Sequence, residues 1–120
     1  MGEVLVVDDE DTMRMLIRET LSLADYEVLE ATNGEDALEI IKAEEPNIIL
    51  LDLMMPKMDG YDVIKELKKG NLIDKSKIVI LTAKGQGEEK ELALEQGADY
   101  FLSKPFSPMD LLDLVKEIDN

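Results

Sequence analysis

The chain has no cysteine and no histidine. Without cysteine there is no disulfide, no thiolate metal site and no cysteine nucleophile. Without histidine the usual general base and the usual zinc ligand are missing, and the chain cannot itself carry a phosphohistidine. Tryptophan is absent too, and aromatic residues make up only 4% of the sequence. No apolar run approaches the roughly 20 residues that span a bilayer, and the N-terminus leads directly into a strand-like segment with no basic region and no cleavage site. These features predict a soluble, cytoplasmic protein. Positive charge is scarce: 13 basic against 28 acidic residues give a formal net charge of -15. Such a surface repels nucleic acid and anionic membrane at long range, so neither is expected as a direct partner. The 120 residues suit one domain, assigned to 1–120, with no room for a separate output domain.

What is present is a regular alternation. Strand-like runs at Val4–Val7, Glu27–Ala31, Ile48–Leu51, Lys77–Leu81 and Tyr100–Leu102 are separated by helical patterns, a β/α unit repeated five times. Three of the runs are nearly continuous Val, Ile and Leu, the pattern of strands covered by helices on both faces of a parallel sheet. Apolar residues recur on one helical face at Met13, Leu16, Ile17 and Leu21, at Ala37, Leu38 and Ile41, and at Leu111, Leu114, Val115 and Ile118. Ser107, Pro108 and Asp110 read as a helix cap, a first-turn proline and a carboxylate reaching back; Asp59 and Asp62 can do the same for the third helix. Gly97 is placed to end the fourth helix, Pro46 follows the second, and the segment Lys68–Lys75 reads as the longest irregular connection.

In an open parallel sheet the carboxyl ends of all strands share one edge, and residues distant in sequence meet there in a crevice. Four fragments place chemistry at that edge: Asp8, Asp9 and Glu10 after the first strand, Asp52 in LLDLMMPKMDG, Thr82 in VILTA and Lys104 in FLSKPF. Asp8 and Asp9 are consecutive, so at least one points into the crevice whichever way the strand alternates. With Asp52 beside them, three carboxylates repel one another until raised pKa values or a cation relieve them. Hard oxygen ligands without sulfur or imidazole select Mg²⁺ or Mn²⁺. The competing reading is that Asp8 to Asp11 only begin the first helix, where carboxylates favour the positive end of its dipole. Asp52 has no such alternative, because a loop containing Pro56, Asp59 and Gly60 follows it. A carboxylate beside a metal can attack phosphorus and form an aspartyl phosphate, a transfer that needs mainly positioning and neutralisation of the oxygens. Thr82 and Lys104 could supply a hydroxyl and an ammonium for that purpose, although a strand-end threonine is common without one. Lys104 precedes Pro105 and is therefore held extended, and the Lys104–Pro105 bond is a candidate cis peptide.

The fragments VVDDE, LLDLMMPKMDG, LTA and SKPF, in this order and spacing, resemble the receiver domain of bacterial two-component response regulators, the CheY-like family. The resemblance covers essentially the whole chain. It implies an α/β fold, a doubly wound five-stranded parallel sheet of order 2-1-3-4-5 flanked by five helices, flavodoxin-like or CheY-like. It further implies that Asp52 is the phosphoacceptor and that Asp8, Asp9, Asp52 and the backbone carbonyl of Met54 hold Mg²⁺ or Mn²⁺. Thr82, with Ala83 after it, and Lys104 would bind the phosphoryl oxygens. Phe101 would be the switch aromatic, with Tyr100 next to it, and Met54 and Lys84 would tune the lifetime of the phosphoryl group.

The role implied is that of a phosphoacceptor signalling switch that assists its own phosphorylation and dephosphorylation, not of an enzyme. A histidine kinase or histidine phosphotransfer protein would be the donor, and a downstream protein the target, contacted through the fourth helix, fifth strand and fifth helix. The framing of one domain by Met1 and Asn120 favours a stand-alone regulator. Two rivals fare worse on residue grounds. A haloacid-dehalogenase type phosphatase needs a second aspartate where Met54 stands, and a cap domain. A flavodoxin-like cofactor carrier needs a phosphate-cradling loop where Asp8, Asp9 and Glu10 would repel phosphate.

Overall fold

The computed structural model describes residues 2–55, 58–83 and 87–119, and the side chains among them except those of 82, 83, 87–90 and 93. Five strands and five helices alternate: β1 Glu3–Val7, α1 Asp11–Leu23, β2 Glu27–Ala31, α2 Gly34–Glu44, β3 Ile48–Asp52, α3 Gly60–Lys69, β4 Lys77–Ala83, α4 Gly87–Gln96, β5 Tyr100–Lys104 and α5 Pro108–Asp119. The strands form one parallel sheet in the order β2-β1-β3-β4-β5, as the resemblance implies.

The continuous apolar strands are explained by what covers them. Leu5, Val7, Ile49, Leu51, Ile78 and Ile80 pack on the side of α2 and α3. Val4, Val6, Ile48, Leu50, Val79 and Leu81 pack on the side of α1 and α5. Both sets are at most 2% exposed, so each strand residue has a helix to meet whichever way it points. The two edge strands are the least buried: in β2 only Ala31 is buried, and in β5 no residue is.

The caps behave as the sequence indicates. Asp59 and Asp62 form a reciprocal capping box at α3, and Ser107 and Asp110 exchange hydrogen bonds of 3.1 Å at the start of α5. Asn33 caps α2 by accepting from the Asp36 N–H, a cap not singled out in the sequence. Gly97 follows α4 at φ +130, a backbone region that penalises any side chain.

Two expectations shift. Lys68 and Lys69 belong to α3, so the irregular connection is 70–76, no longer than the 53–59 connection after β3. Strands β3, β4 and β5 also run past the apolar stretches into Asp52, Ala83 and Lys104. The ladder continues there, with Asp52 opposite Leu81, Thr82 opposite Ser103 and Ala83 opposite Lys104. Backbone pairing, not hydrophobicity, sets those ends.

Candidate functional site: an acidic pocket at the carboxyl edge

The register assembles the site. Val7 of β1 lies opposite Leu51 of β3, so Asp8 and Asp52 follow side by side. Both continue the alternation that faces α1 and α5, as does Lys104 after Tyr100 and Leu102 on β5. Asp8 is fully buried and Asp52 is 5% exposed, whereas Asp9 is exposed. One carboxylate oxygen from each of Asp8, Asp9 and Asp52 lies within 4.8 Å of the others.

Asp8 has both carboxylate oxygens engaged. The Glu10 N–H donates to Oδ1 at 2.9 Å and the Lys104 ammonium to Oδ2 at 3.0 Å. Lys104 Nζ also lies 3.6 Å from Asp52 Oδ2 and 3.7 Å from Glu10 Oε1, so one cation serves three carboxylates. Burial alone would push the Lys104 pKa down, but its hydrogen bond to Asp8 and the charges of Asp52, Asp8 and Glu10 outweigh that and raise it.

Asp52 is pushed up to about 6 from the usual 3.8. Burial is the main cause; Lys104 opposes it, Asp8 adds to it, the Met54 N–H opposes it and Asp9 adds to it. The mutual repulsion expected of three carboxylates is thus relieved in two ways, by a raised proton affinity and by one ammonium. It is incompletely relieved, since three acidic groups face a single cation among the described residues. The donor set fits a hard divalent cation: Asp8, Asp9 and Asp52 converge through oxygen alone, and one is exposed enough to leave open positions.

Two backbone N–H groups fix the loop after the buried Asp52. Met54 N–H donates to Asp52 Oδ1 at 3.1 Å, and Gly60 N–H returns to the Leu53 carbonyl at 3.2 Å. A Cβ on Gly60 would lie 2.9 Å from the Asp52 carbonyl oxygen, so the fold-back demands glycine at this position. An open cavity of about 340 Å³, lined by Asp9, Leu53, Met54, Met55 and Asp59, adjoins the carboxylates.

The remaining sequence candidates divide. Thr82 and Ala83 lie at the end of β4, their backbones opposite Ser103 and Lys104, while their side chains, together with Lys84 and Pro56, lie outside the described residues. Phe101 is half-buried on the α2 and α3 side of the sheet, and Tyr100 is half-buried on the α1 and α5 side. The Lys104–Pro105 peptide is cis. Arg14, which sequence reading passed over, donates to the Asp8 carbonyl at 2.8 Å from the first turn of α1. Its signal was a basic residue three positions after Asp11, on the helix that follows the acidic run, with Arg18 one turn further on.

Comparison with known proteins agrees with this geometry. The sequence profile described as "Response regulator receiver domain" matches residues 4–116. The chain therefore belongs to the response regulator receiver family of two-component signal transduction. It is 47% identical over 109 residues to "Probable transcriptional regulator ycf27" of Cyanophora paradoxa, covering 91% of this chain and 44% of that protein. It is 42% identical over 116 residues to "Alkaline phosphatase synthesis transcriptional regulatory protein PhoP" of Bacillus subtilis (strain 168), covering 97% of this chain and 48% of that one. The chain thus spans about half the length of these relatives. Among solved structures, the "putative response regulator from Chloroflexus aurantiacus J-10-fl" superposes with a TM-score of 0.91 at 37% identity, covering 98% of this chain and 96% of that one. The chemotaxis response regulator CheY4 of Vibrio cholerae superposes with a TM-score of 0.91 at 32% identity and 98% coverage of both chains. No helix among the described residues is long and apolar enough to cross a membrane.

Proposed function

We propose that residues 1–120 form a receiver domain that accepts one phosphoryl group on Asp52 and changes conformation in response. The observation that carries this reading is the juxtaposition of a buried Asp52, two further carboxylates within 4.8 Å, and the Lys104 ammonium 3.6 Å away. The donor is a phosphohistidine on a separate histidine kinase or phosphotransfer protein, since this chain has no histidine. An Asp52 carboxylate oxygen forms the bond to phosphorus as the phosphorus–nitrogen bond to the donor imidazole breaks, and the imidazole leaves with its electron pair and takes up a proton.

Asp8, Asp9, Asp52 and the backbone carbonyl of Met54 would hold Mg²⁺ or Mn²⁺. Such an ion supplies neutralisation of the phosphoryl and carboxylate oxygens when bound. Lys104, already within reach of Asp52, exchanges carboxylate contacts for charge-assisted hydrogen bonds to the phosphoryl oxygens. The Thr82 hydroxyl and the Ala83 backbone offer further donors to those oxygens. Phe101, on the sheet face opposite α1 and α5, follows Thr82 inward and alters the surface of α4, β5 and α5. A reversal of populations from 1:99 to 99:1 requires about 5.5 kcal/mol of differential interaction, within reach of one ion pair and one hydroxyl bond in a shielded pocket. The domain assists its own phosphorylation and dephosphorylation but turns over no separate substrate. It works in the cytoplasm with a protein target, and any contact of a longer protein with DNA lies with segments other than this acidic domain.

Borohydride reduction of the phosphorylated protein, followed by peptide mass mapping, tests the assignment. Homoserine at position 52 is the expected product; reduction at any other aspartate would contradict it.

A further inference from the structure

We propose that Arg14 is a positioning residue for the metal-facing carboxylates, clamping the turn that carries Asp8 and Asp9 and thereby setting the affinity of the pocket for a divalent cation. The proposal rests on the reading of that pocket as a Mg²⁺ site.

The turn from β1 to α1 is held at the Asp8 carboxylate by the Glu10 N–H and Lys104, and its backbone needs a further anchor. Strand pairing of β1 ends at Val7, and the Asp8 N–H still reaches the Ala31 carbonyl at 3.2 Å. The Asp8 carbonyl lies beyond the ladder in a residue with no exposed surface, so it needs a donor from elsewhere. Arg14 Nη1 supplies that donor at 2.8 Å. The same guanidinium bonds Asp11 through Nη2 and lies 3.3 Å from Glu30 Oε1 through Nε. Arg18 holds the other Glu30 oxygen at 2.9 Å. The Arg14 side chain is 12% exposed, low for an arginine on the first turn of a surface helix.

One planar fork therefore ties three pieces of chain together: the turn that bears two of the three carboxylates, the start of α1, and the edge strand β2. A lysine at this position could satisfy one of these acceptors but not the set, because only the guanidinium presents donors in fixed, divergent directions. Groups that orient metal ligands from behind commonly change metal affinity 10- to 100-fold when removed.

The two things Arg14 could do to a bound cation have opposite signs. As a positive charge close to the pocket, it repels a divalent cation, so its removal would tighten binding. As a clamp, it holds Asp8 and Asp9 in place, so its removal weakens binding. An effect confined to folding would leave the affinity of the folded protein unchanged.

Mg²⁺ titration followed by amide NMR on the full chain, with urea midpoints measured in parallel, separates these cases. Arg14→Gln is expected to raise the Mg²⁺ Kd about tenfold or more, and Arg14→Lys is expected not to restore it. The charge-neutral pair Glu30→Ala and Arg18→Ala removes the Nε anchor without changing net charge, and is expected to weaken binding in the same direction but less; it carries the test if Arg14→Gln fails to fold. An unchanged or lower Kd in Arg14→Gln, or full recovery in Arg14→Lys, would overturn the positioning role while leaving the metal site intact. Wild-type amides near Asp9 and Met54 that ignore Mg²⁺ would overturn the metal reading itself, and the role of Arg14 with it.

Discussion

The two edges of the sheet treat polar groups in opposite ways. At the amino edge, apart from a surface Lys75–Glu45 ion pair and a Glu3 carboxyl whose pKa is raised by desolvation and by Glu44 and Glu27, polar groups are closed by hydrogen bonds. Glu3 N–H donates to Asn47 Oδ1 at 2.9 Å, Ile78 N–H to Asp99 Oδ2 at 2.9 Å, and the buried Ser76 hydroxyl to the Pro46 carbonyl at 2.6 Å. At the carboxyl edge Asp8, Asp9 and Asp52 crowd together, and one ammonium contacts Asp8, Asp52 and Glu10. At the first edge these hydrogen bonds lower the energy of the fold, and the one from Ser76 in particular depends little on pH or salt. The second retains repulsion that the fold must tolerate, which is the expected signature of a site built to receive positive charge or to react.

That contrast can be broken most severely at Lys104. Lys104→Ala leaves Asp8 buried without its cation and should cost about 3 kcal/mol in metal-free urea denaturation near neutral pH. Because the Lys104 pKa is raised above its usual 10.5, its contribution is complete throughout the neutral range and is lost only at higher pH. Mg²⁺ should recover part of the loss in the variant; a variant as stable as wild type in chelator would show that Lys104 neutralises nothing.

A smaller effect is expected at the opposite edge. Ser76→Ala removes the donor to the buried Pro46 carbonyl and should cost roughly 2 kcal/mol, equally at pH 5 and pH 8 and with or without Mg²⁺. A pH- or metal-dependent loss at Ser76 would erase the distinction between the edges.

The smallest effect has the opposite sign. Folded Asp52 holds its proton more tightly than the unfolded chain does, so its contribution to wild-type stability should fall as pH rises from about 3.8 to about 6 and level off above. Asp52→Asn removes this titration. In chelator it should be more stable than wild type by roughly 1 kcal/mol at pH 8, since the amide also forfeits the attraction to Lys104, and should converge on wild type below about pH 4. Destabilisation by Asp52→Asn at pH 8 would mean that the buried carboxylate is already fully compensated.

The same two edges explain what the sequence made legible. Asp8 and Asp52 could be read because each directly follows an unbroken apolar stretch, and Lys104 because it comes two residues after one, and in a parallel sheet those stretches must end on a common edge. The extension of β3, β4 and β5 into those residues was not legible, because it depends on pairing between strands and not on residue type. The capping boxes at Asp59 and Ser107 are local in sequence and were anticipated; Arg14 was not. In a chain with 28 acidic residues an arginine on a helix reads as ordinary surface charge. Its role emerges only when the fold brings Glu30 of β2 and the Asp8 carbonyl to it.

Intact-protein mass after incubation with acetyl phosphate tests the central claim most directly, on wild type and Asp52→Asn, each with Mg²⁺ and with chelator. The account predicts a gain of one phosphoryl group in wild type with Mg²⁺, and none in the other three samples. The same gain in Asp52→Asn, or no gain by folded wild type that binds Mg²⁺, would contradict it.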